Sequence, residues 1–461
     1  MIAPATTRRA LNSHSWLGLL AGALLYLVCL SGTLAVIYPT FDRWEQPQLS
    51  EVATLSPGAV EAAYRQYLQQ HHPTADHLYL LLPRQDFPRA SIGDGQQDYY
   101  FNQHGQLTAP VVHPWRDLLA KLHLYLLLPE SYGMLVVSLT GIVLCALVIS
   151  GLMAHRRIVK DAFSYRQKQR QSDLHNRLSV WGAPFHLMFG ATGAYFGLAA
   201  LLLALLAQVY YQGDQSKVMA AAFGAEPELQ APWQPAAIAT ALTDLARRSP
   251  DTPAIYVTLE NAGSAQQYLL IGARHRDRLI YAEQYRYTSA GQFIDKVGFA
   301  DGAAGRQLLF SIYRLHFGHF GGPAVRVIYL LLGLALTVVC ATGINIWLNK
   351  RRHRDALNNL WVGLVWGAPL ALSLSAVSAL LTQHAPALLW LLLLVLAMAF
   401  AQWRNAPALA RRQLLWANSV AALAVVASHV YQWGLVLAAP ILVINSSLLA
   451  AALLFAWLAR R

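Results

Sequence analysis

The sequence predicts an α-helical polytopic membrane protein with about eight transmembrane helices, an internally duplicated four-helix core and two extramembrane α+β modules. Composition is the first observation: 56% of the 461 residues are hydrophobic and 13% are charged, against roughly 25% charged residues in soluble domains. The second is a set of apolar runs longer than the ~18 to 20 residues that cross a bilayer. The third is a unit of helix, outside segment and helix that occurs twice.

Eight apolar runs are predicted to span the membrane. The first is longer than the apolar core of a secretory signal peptide, and no clean small-residue cleavage site follows it, so we expect it to remain attached. The runs lie near residues 16 to 38, 132 to 154, 181 to 211, 324 to 348, 358 to 382, 386 to 403, 413 to 434 and 437 to 459.

The basic residues predict the orientation of these spans. They cluster around Arg8 and Arg9, between the second and third spans, after the fourth and sixth spans, and at the C-terminus. The positive-inside rule makes that side cytoplasmic, so both termini are expected inside and the two long outside segments face outward. This topology explains the net charge of +12 without a nucleic-acid partner.

The outside segments are predicted to be small α+β modules. Each has helical periodicity followed by alternating stretches that end in turn residues, and Ser56 is expected to cap the first module's helix. Neither shows a Ser/His/Asp order or a glycine-rich phosphate loop, so no catalytic residue is assigned. The predicted order is transmembrane helix 1 at 1–41, module 1 at 42–120, transmembrane helix 2 at 121–155, a cytoplasmic loop at 156–174, transmembrane helix 3 at 175–211, module 2 at 212–310, transmembrane helix 4 at 311–350 and a four-helix extension at 351–461.

Four histidines occupy duplicated positions. A Ser-Gly pair follows His14 by 17 and 18 residues, and a Thr-Gly pair follows His175 by the same intervals. These two histidines, the first pair, begin spans that run outward and are expected near the inner interface. A Leu-His pair ends at His123 and recurs at His316, ahead of spans that run inward. These two, the second pair, are expected near the outer interface.

Two facing neutral imidazoles are the axial donor set of a b-type haem, because the iron takes one nitrogen on each face of the macrocycle. The three cysteines lie inside apolar runs and match no CxxCH pattern, so covalent haem attachment is not predicted. Small residues near the histidines can allow close helix approach or make room for a flat ring. They are Gly32, Gly141, Gly193 and Gly343.

Alternatives remain for each histidine. A single interfacial histidine in a membrane protein can be a hydrogen-bonding anchor instead of a ligand. His319 lies one helical turn from His316 and is an alternate ligand. His186, about three turns along the third span, is either an alternate ligand or a core residue bonded to a carbonyl.

Four stretches carry a resemblance to a known family. They read "HSWLGLLAGALLYLVCLSG", "LH...TG...SGLMAHRR", "LHNRLSVWG...ATG" and "LHFGHFGG...ATGINIWLNKRR". With two α+β modules between them, they resemble the PepSY-associated transmembrane family, whose members include ferric-siderophore reductases of bacterial inner membranes. The resemblance covers about residues 8 to 355 and stops before the last four helices. It implies periplasmic PepSY modules and two b-type haems in the four-helix core, with iron ligands at His14, His123, His175 and His316.

The resemblance also implies a function, which is electron transfer across the inner membrane to a ferric siderophore or other Fe(III) chelate in the periplasm. Reduction would release the metal because softer Fe(II) binds hard oxygen ligands less tightly. No dinucleotide fingerprint occurs in the inner loops, so quinol or a separate cytoplasmic reductase is the expected electron donor. Docking of the chelate is expected near the second pair, at Tyr132, Tyr313, Arg314 and Phe317.

Two functions from other classes stay open. One is a haem-free PepSY-type regulator or assembly factor, in which the histidines are structural anchors. The other is a transporter, which repeats and many spans also fit. Parallel repeats and spans without buried carboxylates make the transporter the weaker alternative.

Overall fold

The computed structural model describes residues 4–71, 76–155, 163, 170–275, 278–299 and 302–461. Most of the predicted loop 156–174 therefore lies outside the described residues. The chain divides into two compact units. The helical unit comprises Met1–Pro47, His113–Leu198 and Pro323–Arg461, and the sheet unit comprises Gln48–Val112 and Ala199–Gly322.

Fourteen helices lie within the described ranges. They are α1 (Pro4–Ala35), α2 (Tyr38–Glu45), α3 (Pro57–Gln70), α4 (Pro114–Tyr125), α5 (Glu130–Ala154), α6 (Arg170–Tyr210), α7 (Gln215–Phe223), α8 (Ile238–Arg248), α9 (Ala304–Phe317), α10 (Gly322–Lys350), α11 (Ala356–Thr382), α12 (Ala387–Arg404), α13 (Pro407–Trp433) and α14 (Ala439–Arg460).

Eight of these helices, counted over the described part of the chain, are long and apolar enough to cross a membrane. They are α1, α5, α6 and α10 to α14, and they coincide with the eight predicted runs. The predicted polytopic α-helical class is confirmed. Pro369 lies inside α11 and cannot donate to the carbonyl of Val365, four residues earlier. The Tyr26 hydroxyl of α1 donates to that carbonyl at 2.7 Å, which is how membrane helices tolerate proline.

The duplicated helices pack closely in the helical unit. A small apolar core joins α1, α5 and α10 through Leu25, Leu144 and Leu336. Between α5 and α6, a Cβ atom added to Gly141 would lie 2.7 Å from the carbonyl oxygen of Gly190. No side chain fits there, so Gly141 has the close-packing role expected of a small residue.

The extension shares a second core with the first helices of the chain. Buried tryptophans dominate it, and they come from α2, α4, α11 and α12. They are Trp44, Trp115, Trp361 and Trp390, which are at most 7% exposed. Helices α11 to α14 therefore do not pack only against one another.

One antiparallel sheet of eight strands forms the centre of the sheet unit, in the order β4-β3-β2-β1-β5-β6-β7-β8. Its strands are β1 (His77–Leu81), β2 (Ala90–Gly93), β3 (Asp98–Phe101), β4 (Leu107–Pro110), β5 (Ala254–Glu260), β6 (Tyr268–Ala273), β7 (Glu283–Thr288) and β8 (Phe293–Val297).

Both predicted modules contribute four strands each to this sheet. They join where β1 pairs with β5, from His77 opposite Glu260 to Leu81 opposite Tyr256. The pairing satisfies the backbone groups that two separate edge strands would expose. Because of it, the two modules share one sheet and one core.

Helices α3 and α8 cover one face of the sheet and contribute to its core. Ser56 caps α3 by accepting a hydrogen bond from the backbone N–H of Ala59, as predicted. Alternate residues of β1 are exposed and buried, the pattern of a strand with one open face. The exposed side chains Tyr79 and Leu81 therefore lie on the face that the two helices leave open.

Candidate functional site

The first pair of histidines is brought together in the helical unit. His14 lies in α1 and His175 near the start of α6. Their ring centroids are 6.2 Å apart and the ring planes are inclined by 79°. Two residues separated by 161 positions in the sequence thus lie next to each other.

Each ring of the first pair is held by a backbone carbonyl of another helix, α5 for His14 and α10 for His175. The Nδ1 atom of His14 lies 2.9 Å from the carbonyl oxygen of Leu147 in α5, and that of His175 lies 3.1 Å from the carbonyl oxygen of Val339 in α10. A carbonyl oxygen can only accept, so Nδ1 carries the proton in the neutral ring. This tautomer leaves Nε2 with a lone pair, the state that a metal-ligating histidine needs.

A glycine lies beside each of these rings, four residues after the carbonyl. A Cβ atom at Gly151 would lie 3.2 Å from Cε1 of His14, and one at Gly343 would lie 3.2 Å from Cε1 of His175. Both distances are shorter than ordinary van der Waals contact. Room for a flat imidazole is therefore part of what these glycines provide.

His123 in α4 repeats the arrangement. Its Nδ1 atom is 3.0 Å from the carbonyl oxygen of Val28. Gly32 follows four residues later, and a Cβ atom there would lie 2.5 Å from Cε1 of the ring. Burial lowers the pKa of His123, which favours the neutral imidazole. In the second copy of the duplicated unit, the residues at the positions of Val28 and Gly32 are Phe189 and Gly193 of α6.

The spacing of the first pair fits axial ligation of one metal. With metal–nitrogen bonds of about 2.0 Å and roughly 1.1 Å from a ring nitrogen to the ring centre, two axial imidazoles have centroids about 6.2 Å apart. Within the described ranges no group of three or more His, Cys, Asp or Glu could hold a metal ion. A metal held by His14 and His175 would therefore need its other ligands from a group such as a porphyrin.

His316 lies in α9 of the sheet unit, at the end of a series of aromatic rings. Its ring centroid is 5.3 Å from that of Phe317, and Phe317 is 4.6 Å from Tyr313. The series continues over 4.7 Å to Tyr281 and 6.3 Å to Tyr256 on β5. We call these five residues the ring series. The other histidine of the second pair, His123, belongs to the helical unit. The ligand roles of His123 and His316 therefore stay predictions.

The expected docking residues differ in their surroundings. Tyr132, in the first turn of α5, is 72% exposed. Arg314 is buried, and its guanidinium donates to the carbonyl oxygens of His319, Arg278 and Ile280. Burial, with the neighbouring Arg274 guanidinium, lowers the pKa of Arg314 to about 10. These contacts bind Arg314 to its own unit.

The two alternate ligands are both buried. His186 is 1% exposed, and its Nε2 atom has no hydrogen-bond partner among the residues that the structure describes. It fits the core interpretation in its burial, but it lacks the carbonyl partner that this interpretation expected. His319 lies against the rings of Phe317 and Tyr313, at 5.7 and 5.9 Å between centroids.

Sequence reasoning missed a buried polar cluster between α2, α4 and α13. Glu45 is 5% exposed and accepts hydrogen bonds from the backbone N–H groups of Trp115 and Arg116, at 2.9 and 3.1 Å. Burial raises the pKa of Glu45 to about 8. His429 stacks on Trp44, with 4.9 Å between the ring centroids. A carboxylate beside a tryptophan just after the first span was the available signal.

Comparison with known proteins adds two findings. The family model of the PepSY-associated TM region matches residues 11–350. An uncharacterized protein of Pseudomonas aeruginosa is 31% identical over 255 residues, which are 52% of this chain and 64% of that protein. The chain thus spans less than two thirds of that relative's length, and the family match ends at the start of the extension.

Proposed function

This chain belongs to the PepSY-associated TM region family, and on that premise we propose that it is a membrane oxidoreductase. It carries electrons across a bacterial inner membrane to a ferric siderophore or other Fe(III) chelate in the periplasm and releases Fe(II). The observation that carries the proposal is the first pair of histidines, whose ring centroids lie 6.2 Å apart.

The residues of the first pair would hold a b-type haem, which supplies reversible one-electron chemistry when bound. The carbonyls of Leu147 and Val339 keep the proton of each imidazole on Nδ1. Nε2 is then available to bind iron, and the hydrogen bond to Nδ1 makes it a better donor. A mere anchor would need only the carbonyl bond and would not require two rings at ligand spacing.

The second pair extends the same assignment by duplication. Like each histidine of the first pair, His123 contacts a backbone carbonyl and a glycine four residues after it, here Val28 and Gly32. Together with His316 it would bind a second b-type haem, nearer the periplasm than the first. Two haems along the membrane normal would shorten each electron-transfer step compared with one.

Each Fe(III) chelate takes up one electron, and Fe(II) leaves because hard oxygen ligands bind it less tightly. Quinol or a cytoplasmic reductase supplies the electron, and a quinol gives two electrons and two protons for every two chelates reduced. The ring series lies at His316 and leads toward the open face of the sheet, which supports chelate docking in the sheet unit.

The first test is cofactor content. We expect purified protein to show a b-type optical spectrum and two haems per chain by the pyridine haemochrome assay. A value of one per chain would contradict the second pair. A protein that stays colourless after haem supplementation would refute the proposal and favour the haem-free regulator.

The second test is direction and substrate. Dithionite-reduced protein in detergent should be reoxidised by a ferric siderophore, and a colorimetric Fe(II) chelator should trap the released metal. In sealed vesicles of known orientation, reoxidation should require chelate on the periplasmic face. Equal rates with chelate on either face, or no reoxidation by any ferric chelate, would overturn the assignment.

A further inference from the structure

The extension lies outside the family match, yet it makes polar contacts with the family core. The indole N–H of Trp115 in α4 donates to the carbonyl of Leu372 in α11 at 2.9 Å. The indole N–H of Trp44 in α2 donates to the side chain of Asn445 in α14, also at 2.9 Å. Nε2 of His429 in α13 lies 3.0 Å from the carbonyl oxygen of Trp44. Three helices of the extension therefore hold α2 and α4.

The carboxyl group of Glu45 then joins α2 to α4. The two oxygens of Glu45 accept from the N–H groups of Trp115 and Arg116 in the first turn of α4. Those N–H groups have no partner within the helix, because the first four N–H groups of an α-helix lack an intrahelical acceptor. Asp42, one turn before Glu45, lies 3.3 Å from Nε of Arg116. The start of α4 is thus fixed by α2, and α2 is fixed by the extension.

Helix α4 carries His123 near its other end, eight residues after Trp115. The ring of His123 bonds to the α1 carbonyl of Val28, so its position depends on how α1 and α4 lie relative to each other. Helix α11 holds both of them, because Val365 accepts from Tyr26 of α1 and Leu372 accepts from α4.

We propose that the C-terminal extension is a positioning module for His123, in which Trp44 and Glu45 are the positioning residues. Apolar packing alone would bury the same surface without setting one register, whereas buried hydrogen bonds penalise every arrangement that leaves a donor or acceptor unpaired. Trp44 is 1% exposed and Glu45 is 5% exposed, so their hydrogen bonds are shielded from bulk water. The proposal rests on the proposed function for its haem readout only.

The test uses the full-length protein with Trp44→Leu and Glu45→Ala, and two readouts. Amide hydrogen exchange in residues 114–125 should rise on the order of tenfold, because each change leaves a buried hydrogen-bonding group unpaired. The electron paramagnetic resonance signal of the second-pair haem should shift or be lost, while that of the first-pair haem is unchanged. The first-pair haem is the internal control for correct folding.

Conservative variants separate positioning from simple loss of packing. Trp44→Phe keeps an aromatic ring against His429 and removes the indole N–H, and Glu45→Gln keeps one accepting oxygen. Both conservative variants should show a smaller rise in amide exchange over residues 114–125 and a smaller shift of the second-pair haem signal. The matched control is Trp403→Leu, because this tryptophan of the extension is 74% exposed and should change neither readout.

Unchanged exchange in residues 114–125 together with an unchanged second-pair signal in Trp44→Leu and Glu45→Ala would overturn the proposal. Equal changes at both haems would also overturn it, since they indicate general destabilisation. Wild-type protein without haem would refute the proposed function, whereas the exchange measurement would still decide whether the extension positions α4.

Discussion

Replacing Gly32 with alanine should displace His123 and remove the second-pair haem. The added Cβ atom would lie 2.5 Å from Cε1 and 2.8 Å from Nδ1 of the ring. To restore a contact of 3.4 Å, the ring must retreat by about 0.9 Å, or α1 and α4 must separate by that amount. Overpacking of this size costs about 1–3 kcal/mol. The Nδ1 hydrogen bond, now 3.0 Å, would be lengthened beyond normal bonding distance.

The assay is the haem content of Gly32→Ala, which we expect to fall from two to one per chain while the first-pair spectrum is kept. Gly18→Ala is the matched control on the same helix, because its Cβ atom would lie 3.8 Å from Leu147, an ordinary contact. Gly343→Ala should perturb the first pair instead, and more mildly, because its closest approach to His175 is 3.2 Å. Two haems with an unaltered spectrum in Gly32→Ala would refute the reasoning.

Three further predictions concern other parts of the chain. His14→Ala and His175→Ala should each remove only the first-pair haem, measured by haemochrome stoichiometry with His104→Ala as an exposed control; retention of both haems in His175→Ala would point to His186. Burial raises the pKa of Glu45 from 4.5 to about 8, so the folded state binds the carboxyl proton of Glu45 more tightly than the unfolded state does. Proton binding by Glu45 therefore adds to the free energy of unfolding. This contribution is complete below pH 4.5 and is lost as the pH rises to about 8. The thermal midpoint should fall over that range in wild type and less in Glu45→Gln, and an equal fall in both would contradict the assignment to Glu45. Tyr281→Leu interrupts the ring series and should slow reoxidation by ferric chelate without changing haem content, whereas an unchanged rate would exclude the series from the electron path.

Local sequence properties determined the membrane topology class and the candidate histidines. A span is recognised from length and apolarity alone, which is why all eight runs recur as helices. Ser56 was predicted as a cap for the same reason, since a capping side chain bonds within its own first turn. The duplication also marked His14 and His175, because equal spacing to a Ser/Thr-Gly pair is visible without knowledge of the fold.

Tertiary structure alone decided how these elements meet. Nothing local indicates that β1 pairs with β5, because the two strands are joined only by hydrogen bonds between residues about 180 positions apart. The cluster of Glu45 and Trp44 was missed because its partners, Trp115 and His429, lie 70 and 385 residues away. A ring-to-ring distance of 6.2 Å depends on helix packing, since side chains on different helices meet only when the backbones have been brought together.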